Sequence, residues 1–193
     1  MTTSRRKFLT SISMLAASAT MPLQAFSFGT SKKLKVALVG TGIRGTTFWG
    51  KRLVDEYSDI LEFVGLSDIN PSRLEYGKMY IGANCPTFVD FDEMIKTSKP
   101  DLVIVTTKDS THHEFIIKGL EMGCDVLTEK PLTIDEIKCQ AILDAEKNSD
   151  KNLIVGFNYR WSPYATEIKK LLKNNSIGKL VSVDFHWYLN TYH

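Results

Sequence analysis

L-K-V-A-L-V-G-T-G-I-R-G, residues 34–45, is the stretch that decides the fold of this chain. A valine- and leucine-rich run stops at Gly40, and a helix is expected from about Arg44. The glycines therefore form a G-x-G-x-x-G motif at a strand-to-helix turn. Such a turn lets backbone approach a pyrophosphate, and the helix N-terminus that follows offers free N–H groups to the phosphates. We predict a dinucleotide site made by Gly40, Thr41, Gly42, Ile43, Arg44 and Gly45.

A second apolar run, residues 61–67, ends at an acidic residue, Asp68. A carboxylate at this position accepts hydrogen bonds from the two hydroxyls of an adenosine ribose and repels a 2′-phosphate. NAD is therefore the expected cofactor, and NADP stays an alternative because Arg73 is near in sequence. A role for Asp68 as a plain helix cap is less favoured, since Asn70 and Pro71 already suit the Ncap and N1 positions.

The composition, 43% hydrophobic and 24% charged over 193 residues, is that of a globular protein. The formal net charge of +2 falls to −1 once the three cations at residues 5–7 are set aside, so nucleic acid is not an expected partner. Cys85, Cys124 and Cys139 are odd in number and widely spaced. We expect buried free thiols and predict no metal site.

The first 30 residues carry no acidic side chain. The basic segment S-R-R-K-F-L, residues 4–9, precedes an apolar run to Ala19 and then small residues to Ala25. This order predicts a signal peptide of the twin-arginine type and a periplasmic protein. The run is too short and too rich in serine and threonine to span a bilayer stably. Cleavage after Ala19 or Ala25, an uncleaved anchor and a disordered basic tail all stay open.

Short β-branched runs alternate with helical stretches from Leu34 onward, which predicts an α/β fold with a doubly wound parallel sheet. The run at 101–106 is apolar enough to be buried on both faces and should be central. The other strands are expected from 34 to 40 and at 61–67, 87–89, 125–129 and 153–157. The helices between them are expected to begin at Asn70-Pro71, Asp90 with Glu93, Thr111 with Glu114, and Thr133 with Glu136.

The last segment departs from this alternation. Ser162-Pro163 predicts a helix to about Asn175, and residues 179–190 alternate like a long strand. One strand cannot bury its apolar face alone, so we expect the start of a second, α+β domain in an N-terminal part of a longer protein. An antiparallel edge strand of the first sheet is the alternative. The predicted domains are a signal peptide at 1–30, a dinucleotide-binding domain at 31–158 and the incomplete start of a substrate and oligomerisation domain at 159–193. The apolar face of the predicted strand consists of Val181, Val183, Phe185, Trp187 and Leu189.

Three motifs together resemble one family of oxidoreductases. They are G-T-G-I-R-G at 40–45, T-T-K-D-S-T-H-H at 106–113 and V-L-T-E-K-P-L at 126–132. The combination resembles the glucose-fructose oxidoreductase and inositol dehydrogenase family, often called Gfo/Idh/MocA, over about residues 33–193. The resemblance implies a Rossmann domain, an NAD(P) cofactor, a small carbohydrate or cyclitol substrate and a homo-oligomer.

The E-K-P tripeptide is the most specific part of this resemblance. By similarity, Glu129 helps to hold the cofactor and Lys130 is catalytic, forming a hydrogen bond with the substrate hydroxyl that loses its proton. An ammonium beside the reacting oxygen stabilises developing alkoxide charge, which agrees with that role. A surface lysine before a turn proline is the alternative. The bond from Lys130 to Pro131 is also open to the cis form.

The motif after the central strand departs from the usual Thr-Pro-Asn of the family. Thr107 and Asp109 are the corresponding cofactor-binding candidates, and Asp109 adds a negative charge while still accepting hydrogen bonds. His112 falls at the family's histidine position, where it would close over the cofactor. A surface histidine at the start of a helix is the alternative.

G-F-N-Y-R-W, residues 156–161, resembles the family's crossover into its second domain. Asn158 and Arg160 are candidates for the wall of the nicotinamide pocket, with structural roles equally open.

The family's general base, a histidine accompanied by an aspartate, has no match in this sequence, so the chain alone is expected to be inactive. The resemblance implies an exported NAD(P)-dependent oxidoreductase acting on a sugar, amino sugar or cyclitol, with a tightly bound cofactor that is recycled internally. Two alternatives stay open: an NAD-dependent glycosidase that oxidises, eliminates and re-reduces its substrate, and a truncated, non-catalytic nucleotide-binding protein.

Overall fold

A computed structural model describes residues 32–188, and six strands in it form one sheet in the order β3-β2-β1-β4-β5-β6. All five pairings between neighbouring strands are parallel. The predicted doubly wound sheet is therefore confirmed, and the strand order reverses between β1 and β4. The strands are β1 (Leu34–Val39), β2 (Leu61–Ser67), β3 (Thr87–Phe88), β4 (Leu102–Val105), β5 (Asp125–Thr128) and β6 (Leu153–Val155).

Helices cover both faces of this sheet. A π-helical segment (Arg44–Lys51) continues directly into α1 (Arg52–Tyr57) and packs, with α2 (Pro71–Ile81), on one face. The other face is covered by α3 (Phe91–Ser98), α4 (His112–Glu121) and α5 (Glu136–Lys147). Short 3-10 turns at Asp109–Thr111 and Asn158–Trp161 and a last helix, α6 (Pro163–Lys173), complete the described elements.

The two middle strands, β1 and β4, are the most deeply buried. The side chains from Val36 to Val39 are at most 3% exposed, and those from Val103 to Val105 at most 1%. Each fully buried valine or leucine side chain contributes roughly 1.5–3 kcal/mol relative to an exposed one. The predicted central position of the strand at 101–106 is confirmed, because apolar residues on both of its faces need helices above and below.

Three of the four predicted helix starts are confirmed, and two of them have the predicted side-chain cap. The Asn70 carboxamide oxygen accepts hydrogen bonds from the N–H groups of Ser72 and Arg73, and Pro71 occupies the first helical position. Asp90 caps α3 by accepting from the N–H of Glu93.

Thr111 is the N-cap residue of α4, as predicted, but its side chain makes no capping hydrogen bond. The Thr111 hydroxyl donates to the Lys108 carbonyl instead, and a 3-10 turn precedes α4. The next helix is capped by Asp135, not Thr133, since the Asp135 carboxylate accepts from the N–H of Lys138. Before both α4 and α5, polar residues lie close together, and the sequence motif alone does not show which side chain caps the helix.

The predicted strand at 179–190 is wrong over the part that the structure describes. Residues 179–188 form no strand, and Val181, Val183, Phe185 and Trp187 are all exposed. Leu189 lies outside the described residues. A strand needs a neighbour to accept and donate its backbone hydrogen bonds, and no described segment pairs with this one. The alternative, an edge strand of the first sheet, is excluded for 179–188 for the same reason.

No disulfide links the three cysteines: Cys85 and Cys124 are buried, and Cys139 is partly exposed. Burial raises the pKa of the Cys85 thiol to about 11. Within residues 32–188, no group of three potential metal ligands occurs, and no helix is long and apolar enough to cross a membrane. The predicted signal peptide lies outside the described residues.

Candidate dinucleotide and substrate site

The three motif glycines at the end of β1 have three different surroundings. Gly40 has a φ of +93°, and a Cβ there would lie 2.6 Å from the Thr106 carbonyl oxygen. A Cβ on Gly45 would collide with the Gly40 carbonyl oxygen and lie 2.5 Å from Thr106 Oγ1. A Cβ on Gly42 would meet no atom within 4 Å. The turn is therefore closed at its first and third glycines and open at the second, where a ligand can approach the backbone.

Thr106, the residue after β4, ties the central strand to this turn. Its buried hydroxyl lies 3.0 Å from the Val39 carbonyl oxygen and 2.7 Å from that of Gly40. Because β4 is held against the glycine turn, the turn has its bent shape before any ligand binds. Thr106 was not predicted as a site residue, although it is the first residue of the motif at 106–113.

Asp68, the residue after β2, is only 5% exposed and uses both carboxylate oxygens within the chain. Oδ2 accepts from the N–H and the hydroxyl of Thr41, at 2.8 and 3.1 Å. Oδ1 accepts from the Asn70 N–H and from Arg73 Nη2, each at 2.9 Å. Burial acts to raise the pKa of Asp68, but these hydrogen bonds outweigh it and hold the pKa below its usual value. Asp68 is thus an ionised group fixed beside the glycine turn.

A cavity of about 480 Å³ opens at the carboxyl edge of β1, β4, β5 and β6. In sheets of this type, ligands bind outside the carboxyl ends of the strands where the strand order reverses. Seven residues predicted from the sequence line the cavity: Arg44, Thr107, Asp109, His112, Glu129, Lys130 and Asn158. Thr106, Tyr159 and Trp187 line it as well and were not predicted.

Lys130 lies in this cavity with an exposed side chain. Its ammonium has no hydrogen bond or ion pair to any residue of the described range 32–188. The peptide bond between Lys130 and Pro131 is cis. The ammonium is therefore available to a ligand, as the predicted catalytic role requires, while its exposure also agrees with the alternative of a surface lysine.

Glu129 differs from its neighbour in being buried and fully bonded. Oε1 accepts from Arg44 Nε at 2.5 Å and from Trp49 Nε1 at 2.7 Å, and Oε2 accepts from the Lys130 N–H at 3.1 Å. The Arg44 guanidinium also stacks over the ring of Phe48 at 3.9 Å. Trp49 was missed by sequence reasoning, because its contact is 80 residues away and no local pattern marks it.

His112, at the start of α4, is 1% exposed, so the alternative of a surface histidine is wrong. Its Nδ1 lies 2.8 Å from the Pro131 carbonyl oxygen and its Nε2 lies 3.2 Å from that of Thr107. A neutral imidazole carries one N–H and donates to one of these carbonyls at a time. The ring thus joins the two loops that border the cavity, and its predicted closure over the cofactor stays a prediction.

The structure does not bring Arg160 to the cavity. Its guanidinium lies 5.1 Å from the ring of Trp161 and is exposed. Asn158 is in the cavity wall, where its side-chain oxygen accepts from the Tyr159 N–H. The 3-10 turn at Asn158–Trp161 thus leaves Asn158 in the cavity wall and Arg160 outside it, although both were predicted to line the pocket.

These residues fit a dinucleotide. The open approach at Gly42 and the N–H groups of the first helical turn suit a diphosphate. Asp68 is ionised beside this turn, but both of its carboxylate oxygens are already bonded within the chain, so its hydrogen bonds to ribose hydroxyls stay a prediction. The adjoining cavity is large enough for a ring and a small substrate, because pockets for small molecules span about 300–1,000 Å³.

Comparisons with known proteins agree with this geometry. The profile of a family described as "Oxidoreductase family, NAD-binding Rossmann fold" matches residues 34–157. YteT of Bacillus subtilis (strain 168), named as an oxidoreductase, is 38% identical over 162 residues, which cover 82% of this chain and 38% of YteT. The inositol 2-dehydrogenase/D-chiro-inositol 3-dehydrogenase of Lactiplantibacillus plantarum is 27% identical over 81% of this chain and 45% of its own length.

Among solved structures, the WlbA dehydrogenase of Chromobacterium violaceum in complex with NADH and UDP-GlcNAcA has a TM-score of 0.70 and 26% identity. The match covers 77% of this chain and 42% of WlbA. The chain thus spans less than half the length of each of these relatives. Since the family profile covers well over half of this chain and includes both the glycine turn and the E-K-P loop, the chain belongs to the GFO_IDH_MocA oxidoreductase family and carries its NAD-binding Rossmann fold.

Proposed function

We propose that this protein is an NAD-dependent oxidoreductase that acts on a hydroxyl group of a sugar, amino sugar or cyclitol, with Lys130 as a catalytic residue. The observation that carries the proposal is the Lys130 ammonium, which has no partner among the described residues and lies in the same cavity as Arg44, a residue of the glycine turn. The substrate class is supported by relatives named inositol 2-dehydrogenases.

The residues of this chain divide the work. Lys130 donates a hydrogen bond to the reacting hydroxyl and stabilises the negative charge that develops on its oxygen as the proton passes to a general base. The resemblance to the family implies a histidine with an aspartate in that role. Asp109 and Asn158 are both exposed in the cavity wall, where Asp109 accepts hydrogen bonds from further hydroxyls and Asn158 accepts or donates them. Tyr159 and Trp187 offer apolar surface that limits water around the reacting group.

The nucleotide would be held by the first turn after Gly40 and by Asp68. NAD, when bound, supplies the chemistry of accepting a hydride. NADP stays an alternative, because the Arg73 guanidinium is bonded to Asp68 at 2.9 Å and is half-exposed. A positive charge there is compatible with a 2′-phosphate.

Two finer features belong to the proposal as well. The residues 4–9 support export by the twin-arginine route to the periplasm, and an exported enzyme needs a tightly bound, internally recycled cofactor because free NAD is not expected there. Replacement of Arg5 and Arg6 by lysine should abolish the appearance of the protein in a periplasmic fraction.

The four exposed apolar side chains at 181–187 support a homo-oligomer of the whole protein, which light scattering would test.

The function is tested by incubating the intact protein with NAD and a panel of sugars, amino sugars and cyclitols. The expected result is reduced nicotinamide, seen by its absorbance, with a subset of the panel. The reduced cofactor should stay with the protein on gel filtration if it is recycled internally. Failure of NADH to bind, measured by nicotinamide fluorescence, would refute the proposal, and net release of NADH during steady turnover would refute the recycling.

A further inference from the structure

Glu129 has the properties of a structural connector and not those of a ligand-binding carboxylate. Only 6% of the residue is exposed, although it lines the cavity. Three N–H donors already point at its two oxygens. A buried carboxylate is stable only when it is paired and hydrogen-bonded, and this one is satisfied entirely by its own chain.

The donors come from a distant part of the sequence. Arg44 and Trp49 both belong to the π-helical segment that follows the glycine turn, 85 and 80 residues before Glu129. The Trp49 indole N–H and the Arg44 guanidinium donate to the same oxygen, so this segment holds the carboxylate through two hydrogen bonds. Charge-assisted hydrogen bonds of this kind are shorter and roughly twice as strong as neutral ones.

Trp49 also packs against the chain that follows β6. A Cβ added to Gly156, the residue after β6, would lie 3.2 Å from Trp49 Cζ2. The indole thus lies against the chain that leaves β6. Arg44 lies between Glu129 and the ring of Phe48.

The third donor is the backbone N–H of Lys130. Oε2 of Glu129 therefore fixes the peptide unit from which the Lys130 side chain extends, while Oε1 is fixed by the glycine-turn helix. On the opposite side of the same loop, the His112 ring contacts the Pro131 carbonyl oxygen.

We propose that Glu129, held by Arg44 and Trp49, is a positioning residue that sets where the Lys130 ammonium lies relative to a nucleotide bound at the glycine turn. This inference rests on the proposed function for the role of Lys130. It assigns Trp49 a part in the site and removes Glu129 from the residues that contact the cofactor.

The test measures Lys130 directly in the intact protein. Acetic anhydride labels lysines, and mass spectrometry gives the labelling rate of each one with and without NADH. In the parent, saturating NADH should slow the labelling of Lys130 about tenfold or more, while that of Lys78, exposed on α2, should not change. The variants are Glu129→Gln and Trp49→Phe, with Trp161→Phe as a matched control at an exposed tryptophan.

The expected result is that Glu129→Gln and Trp49→Phe bind NADH within about threefold of the parent but no longer protect Lys130. Displacement of a reacting group by about 1 Å costs on the order of 100-fold in rate, so turnover should fall with little change in KM. The double variant should be no worse than the more damaging single one, because both changes break the same connection. Trp161→Phe should behave as the parent.

A second measurement, by NMR, reports on the hydrogen bond between Trp49 and Glu129. The chain contains three tryptophans, and the Trp49 indole N–H resonance, assigned by its loss in Trp49→Phe, should move in Glu129→Gln while the other two stay in place.

Three outcomes would overturn the inference. Protection of Lys130 that persists in both variants would show that Glu129 does not position it. A loss of NADH affinity of tenfold or more in Glu129→Gln, with Trp49→Phe unchanged, would make Glu129 a cofactor ligand. A parent chain that fails to bind NADH would refute the proposed function and the inference with it, and this result is distinct from the other two.

Discussion

The two halves of the carboxyl edge of the sheet are built differently. Around β1 and β2, Asp68 has four donors and the Gly40 carbonyl is held by Thr106. Around β4, β5 and β6, Lys130 has no partner within residues 32–188, and the cavity wall contains exposed Asp109 and Asn158. The first half is organised before a ligand binds, and the second half combines bonded groups, Glu129 and His112, with an available ammonium at Lys130. We infer that binding strength comes mainly from the first half and chemical selectivity from the second.

Replacing Lys130 would sharpen this comparison most. Lys130→Ala in the intact protein should lower turnover about 100- to 1,000-fold, as removal of one donor to a developing oxyanion does elsewhere. NADH affinity should stay within about threefold, because the nucleotide is held by the other half. Steady-state kinetics and nicotinamide fluorescence measure the two effects, with Lys78→Ala as control. Equal turnover by parent and variant would remove Lys130 from the reaction.

Two substitutions in the glycine turn should affect nucleotide affinity and folding stability separately. Gly42→Ala places a Cβ in open space, so its unfolding free energy should change by less than about 0.5 kcal/mol while nucleotide affinity falls about tenfold or more. Gly45→Ala forces its Cβ onto the Gly40 carbonyl and should cost roughly 1–3 kcal/mol of stability. Urea unfolding and NADH titration distinguish them. Equal destabilisation by both would contradict the assignment of an open second glycine.

Asp68 should make the first half sensitive to acid. Its folded pKa lies below the ordinary 3.8, so the carboxylate stabilises the fold fully above that value and loses this contribution as pH falls through the folded pKa. Asp68→Asn should therefore cost roughly 1–3 kcal/mol at pH 7, and the difference from the parent should shrink as the pH falls through the folded pKa of Asp68. Urea unfolding at several pH values measures it. A difference that grew on acidification would reverse the sign of the argument.

The smallest effect is expected away from this edge. The ion pair between Lys118 and Asp92 joins α4 to α3 at 2.8 Å, with both side chains substantially exposed. Asp92→Asn should change stability by less than about 1 kcal/mol and leave NADH affinity unaltered. Thermal unfolding and NADH titration measure the two effects. A large loss of NADH affinity would show that nucleotide binding does not depend mainly on the first half of the carboxyl edge.

Local patterns predicted the sheet and the glycine turn well, because their causes are local. The valines of β1 and β4, the Asn70-Pro71 start of α2 and the glycines at 40–45 each act over a few residues. The strand predicted at 179–190 failed because alternation shows which face is apolar and says nothing about a neighbour to pair with. Trp49 was missed for a related reason, since its partner is distant in sequence.

Arg44 occupies one of the unspecified positions of the glycine motif, yet it is bonded to the loop that carries Lys130. Transplanting only the three glycines into another Rossmann domain would transfer the phosphate turn without that attachment. An engineered chimera would have to exchange residues 40–49 and 129–131 together as one cassette.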